Sequence, residues 1–167
     1  MPLNRDAVLA AIDQGYHAFL HELRDLQYSL DWKRDFNDPA AWSPRDIITH
    51  LMGTLEVNTY RTLQAIITDE SPTARLEGDN PYRSQETRAM ALPQLLDRLE
   101  TVYDRLTELI ASVSDQQLGR TVRILRQDGT TRELTFLEVA HRPFATHWPD
   151  HTRQLYSIRQ ELGVAEL

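Results

Sequence analysis

Apolar residues recur at three- and four-residue steps along most of the chain, the period of helices that bury one face. Over residues 4–30, Leu9, Ile12, Tyr16, Phe19, Leu23, Leu26 and Leu30 make one such stripe. A polar loop over 31–42 follows, with Asn37-Asp38-Pro39 as its turn signal. Ser43 then offers an N-cap, Pro44 suits the first helical position and Asp46 places negative charge in the first turn. This second helix is expected to run to about residue 68, with Ile48, Leu51, Met52, Leu55 and Thr59 as its main inward stripe. A long connection over 71–82 is rich in Pro and polar residues.

A third helix is expected from near Ser84, with Leu95, Leu99, Val102, Leu106, Leu109 and Val113 inward. Pro93 would kink or restart it, and 114–119 ends it. Over 121–134, Asp128-Gly129 between β-tolerant flanks signals a hairpin. It is too small to be a sheet by itself and reads as an insertion before the last helix. Thr135 and Glu138 form a capping box that opens a fourth helix, and Gly163 stops it after about residue 162. The sequence therefore predicts an all-α protein, a four-helix bundle in a single domain over 1–167. A long second-to-third connection and a small hairpin before helix four complete it.

Composition narrows the chemistry. The 167 residues hold no cysteine, which excludes disulfides, thiolate ligands and a cysteine nucleophile. Any metal must be held by His, Asp or Glu. The net charge of −7 disfavours nucleic acid. The local cluster Arg120, Arg123, Arg126 and Arg132 reads as a solvated face of the hairpin. No apolar run is long enough for a membrane span, and the first residues lack a signal-peptide core, so a cytoplasmic location is expected.

Six histidines remain, at positions 17, 21, 50, 141, 147 and 151. His17/His21 and His147/His151 have the i, i+4 spacing that stacks two imidazoles on one helix face. On helix one the pair lies opposite the apolar stripe and should face solvent. On helix four, His147 and His151 fall among Ala140, Phe144, Leu155 and Ile158 and should face the interior. Buried imidazoles there need either hydrogen-bonding neighbours or a metal, and spacing alone leaves both open. His50 is the natural third ligand, although its face, shared with Ile47, Thr54 and Val57, is only half apolar. His141 lies one face over and reads as a neutral flank. Tyr16, Tyr60 and Tyr103 read as aromatic filler, with lining of a cleft as the alternative.

The stretch Trp42-Ser-Pro-Arg-Asp-Ile-Ile-Thr-His50-Leu51 and the later His147-Trp-Pro-Asp-His151-Thr-Arg-Gln154-Leu155 resemble the DinB-like, damage-inducible four-helix-bundle superfamily. The resemblance covers nearly the whole chain. It implies a divalent metal, nickel or zinc, held by His50, His147 and His151. It also implies a homodimer, and a role in stress response like that of the branch that removes reactive metabolites. The implied activity is a metal-dependent one on a small electrophile, either hydrolysis or S-transfer from a low-molecular-weight thiol. Asp150, Glu56 and Gln154 are candidates to orient the imidazoles. Pro143 and Pro149 oppose this reading. Each lacks a backbone donor, and Pro149 lies between two of the ligands, so it would either distort the site or restart the helix near Trp148. The alternative is a non-catalytic bundle that binds a small apolar ligand or a protein partner.

Overall fold

The computed structural model describes residues 3–38, 41–69, 72–75, 84–125 and 128–164. Pro39, Arg126 and most of the second-to-third connection lie outside the described residues. Helix α1 spans Arg5–Glu22, opened by the Asn4 side chain, which accepts from the Ala7 N–H at 2.8 Å. It is shorter than its stripe predicts. From Leu23 the chain continues in turns, with Asp25 at φ 63°, and yet Leu23, Leu26 and Leu30 stay buried. The apolar period outlasts the helix because turns stacked on the bundle end can bury the same positions. Val8 rather than Leu9 is the fully buried residue of the first turn.

Helix α2 spans Pro44–Gly53. Ser43 accepts from the Asp46 N–H at 3.2 Å, and Asp46 accepts in return from the Ser43 N–H at 3.1 Å. The rod does not stay α-helical. Thr54–Tyr60 is a π-helical segment, where the Arg61 N–H reaches back five residues to the Glu56 carbonyl, before α3 over Arg61–Thr68. Two elements of the third helix are distinct: α4 is Gln85–Ala89, and α5 is Leu92–Ser112. Pro93 restarts rather than kinks the helix, since it occupies the first turn, where its missing donor costs nothing. Ile110 is fully buried in α5, whereas Leu109, expected inward, is partly buried.

Ser114 caps the short α6, Asp115–Leu118. Strands β2, Thr121–Leu125, and β3, Thr131–Thr135, form the expected antiparallel hairpin with Val122 opposite Leu134. A third strand was not expected. β1, Thr73–Arg75, lies in the second-to-third connection and pairs in parallel with β2, Thr73 opposite Arg123. The connection thus contributes a strand, and the hairpin is part of a three-stranded sheet whose Val122, Ile124 and Leu134 are buried against the helices. Arg120 does not belong to a solvated face. It donates to the carbonyls of Ile66 and Ile67, at 3.3 and 2.7 Å, and so caps the C-terminus of α3.

Helix α7, Phe136–Arg142, opens on the Thr135–Glu138 capping box. A second π-helical segment, Pro143–His147, joins it to α8, Trp148–Leu162, and Gly163 ends the rod at φ 65°. α1 packs along α7 and α8 and against α5, while α2 packs against α5 and α8. The contact with α8's rod is close at Gly15: a Cβ there would stand 2.9 Å from Phe144 Cδ1. No described helix is long and apolar enough to cross a membrane.

Candidate metal centre

Local structure explains how each histidine is aimed. The Ser43 cap fixes the start of α2, and His50 lies two turns on. His147 closes the second π segment and His151 falls in the first turn of α8. The prolines are absorbed by that segment. In the wider turn the Trp148 N–H bonds the Pro143 carbonyl five residues back, and Pro149 occupies the first turn of α8. The helix does restart at Trp148, with His147 at its edge, and the two histidines still converge.

His50 Nε2 stands 2.8 Å from His147 Nε2, and His151 Nε2 stands 3.2 Å from the same atom. One ligand atom from each lies within 4.8 Å of the others, and each ring is half-buried. At metal–nitrogen distances of about 2.0–2.1 Å, imidazoles meeting an ion at about 90–110° have their nitrogens about 2.9–3.4 Å apart. The two short spacings here, 2.8 and 3.2 Å, match that requirement. The donor set consists of neutral nitrogens with no carboxylate, and it suits a borderline divalent cation better than magnesium or calcium.

The protonation states agree with a ligand role. Burial, then the neighbouring imidazoles of His147 and His151, pushes the His50 pKa down to about 4. Burial, then His151, does the same for His147, also to about 4. His151 is lowered as well, chiefly by burial, against the opposing effect of its bond to Gln154. His151 Nδ1–H donates to Gln154 Oε1 at 3.0 Å, which leaves its Nε2 lone pair facing the cluster. Of the three residues proposed to orient the imidazoles, Gln154 does so directly. Asp150 is exposed and paired with Arg153, and Glu56 lies 3.7 Å from Arg105. His50 Nδ1 is buried without a hydrogen-bond partner.

Trp42, the first residue of the motif, packs against two of the three imidazoles. Its ring stacks on His151 at 5.4 Å and 7°, and meets His50 edge-on at 4.8 Å. Its position just before the Ser43 cap is that of a hydrophobic staple, and this local explanation conceals the second role.

His50 and His147 also line a cleft of about 370 Å³. One wall is apolar, from Ile124 and Leu134 of the sheet and Val139 of α7. Thr54 and Asn58 of the first π segment face Pro143 and Thr146 of the second. Among the described residues, the sheet supplies two of the three side chains of that apolar wall. The tyrosines do not line this cleft. Tyr16 and Tyr103 stack on each other at 4.0 Å, and burial raises both pKa values to about 12. Tyr60 lies beneath the Arg105 guanidinium. His17 and His21 are exposed as expected, and His141 is outside the cluster.

The sequence pattern of the DinB superfamily matches residues 11–155. The chain belongs to the DinB superfamily. YfiT from Bacillus subtilis, described as "a probable metal-dependent hydrolase with an unusual four-helix bundle topology", superposes with a TM-score of 0.72 at 17% identity, covering 96% of this chain and 89% of YfiT. An uncharacterised protein from Clostridium difficile 630 has a TM-score of 0.69 at 13% identity, covering 96% of this chain and 98% of that one. One from Escherichia coli UTI89 has 0.65 at 14%, covering 99% and 98%. At these identities the likeness establishes the four-helix-bundle fold. No curated protein matches the chain.

Proposed function

We propose that this DinB-superfamily protein is a divalent-metal-dependent enzyme that attacks a small electrophile in the cleft beside His50 and His147. The observation that carries the reading is the convergence of three half-buried imidazole nitrogens at metal-ligand spacing, next to a cavity large enough for a metabolite. The description of YfiT as "a probable metal-dependent hydrolase" supports it. His50, His147 and His151 would hold nickel or zinc through Nε2. When bound, a divalent ion with open positions supplies Lewis acidity and lowers the pKa of a water or thiol towards neutrality.

The chain's own residues prepare that chemistry. Gln154 holds the His151 tautomer, Trp42 holds the plane of its ring, and burial keeps all three imidazoles neutral and able to ligate at physiological pH. The apolar wall of the cleft excludes water from one side of the substrate. A chain without cysteine provides no thiol itself, so S-transfer would need an incoming low-molecular-weight thiol, while attack by water gives hydrolysis. The non-catalytic alternative, an apolar cleft whose ligand geometry Pro143 and Pro149 spoil, is weakened by the π segment, in which His147 and His151 still converge. A second copy of the chain as partner, a cytoplasmic location and a role in stress response belong to the same proposal.

The test is metal content of tag-free protein, wild type beside His151→Ala and His50→Ala. About one nickel or zinc per chain, lost in either variant, supports the reading. Wild type that takes up neither metal refutes it.

A further inference from the structure

We propose that the cleft binds a small apolar molecule carrying one carboxylate, with Arg142 pairing the carboxylate and the molecule's reactive end directed at His50 and His147. The inference deepens the metal-site reading and relies on it for which end reacts. The observations are independent of the histidine cluster. Arg142 is the only side chain with a full charge among the described residues that line the cleft. No carboxylate is among the described lining residues, although the chain holds 25 Asp and Glu against 18 Lys and Arg. The guanidinium makes no ion pair or hydrogen bond with the described residues, unlike Arg5, Arg45, Arg120 and Arg159, which are tied to backbone carbonyls.

The backbone explains why this arginine shares a cleft with a histidine. At about 100° per residue, Arg142 and His147 would point about 140° apart on an α-helix. The π segment between them hydrogen-bonds at five-residue spacing and adds a residue to the turn, so both line the same cavity. The segment facing it, which bears Thr54 and Asn58, is π-helical too. Two π segments opposite each other at one cavity are a costly local geometry, and such segments concentrate at functional sites. A single guanidinium with an apolar wall of Ile124, Leu134 and Val139 matches a monocarboxylate with a hydrocarbon body. A phosphate, which needs more positive charge, fits less well.

The probes are phenylbutyrate and its neutral isostere phenylbutyramide, titrated by heteronuclear NMR into the protein as purified, with metal content measured on each sample. Wild type should bind the carboxylate about tenfold or more tighter than the amide. Arg142→Ala should reduce that preference to about twofold or less with metal content unchanged, and Arg142→Lys should retain part of it. Equal binding of acid and amide by wild type overturns the proposal. So does a preference that survives Arg142→Ala but disappears in His147→Ala, since the carboxylate would then bind at the histidine end. If wild type carries no metal, the enzymatic reading fails, while the acid-over-amide preference and its dependence on Arg142 still decide this one.

Discussion

Replacing Gln154 with Leu isolates the contribution of one hydrogen bond to the metal centre. Gln154 Oε1 accepts from His151 Nδ1–H at 3.0 Å at a half-buried position. Leucine fills similar volume but accepts nothing. The lost bond is worth about 0.5–1.5 kcal/mol net. The imidazole then also gains access to the tautomer that carries its proton on Nε2, which cannot ligate. Together these predict metal affinity weakened by about 10–100-fold, or about 1.4–2.7 kcal/mol. Gln154→Glu keeps an acceptor and strengthens it by charge, so it should bind at least as tightly as wild type. The assay is competition against a chromophoric chelator near neutral pH, with thermal unfolding of the metal-free proteins as the check on folding. A folded Gln154→Leu variant within about twofold of wild-type affinity would refute the argument that this bond aims His151.

Trp42→Ala should remove the ring stacked on His151 and weaken metal binding by about 2–10-fold, with Trp42→Phe intermediate, in the same competition assay. Gly15→Ala places a methyl 2.9 Å from the buried Phe144 ring. The clash should outweigh the gain in helix propensity, lowering stability by about 1 kcal/mol and Tm by about 2–4 °C, with Phe144→Leu restoring it. In metal-free protein, His50 and His147 have folded pKa values of about 4, below the ordinary 6.5. The unfolded state therefore binds more protons between those limits, so stability falls as pH drops from about 6.5 towards 4 and is unaffected by these groups above that window. Urea unfolding across the range should show this slope, flattened in the His50→Ala/His147→Ala double variant. A slope of equal size in that variant would assign the effect elsewhere.

Much of the architecture is written in short-range sequence. The Ser43–Asp46 and Thr135–Glu138 caps, the stop at Gly163 and the inward stripes depend on residues three or four apart, and such signals survive without knowledge of the rest of the chain. The same period separates His17 and His21, left in solvent, from His147 and His151, turned inward. What a fixed 100° wheel cannot represent is a change of turn. The two π segments shift every later residue, which is why Arg142 shares a cleft with His147 and why His147 and His151 converge across Pro149. β1 was equally hidden, since three residues have no period and are a strand only because β2 is there to pair with them. The contact between His50 and His147 spans 97 residues of sequence. The chain's residues and caps determined where the helices begin and that His147 and His151 turn inward. Only the packing of α2 against α8 decided that three imidazole nitrogens meet at one point, because distances between separate helices are set by the fit of the core and not by any local preference.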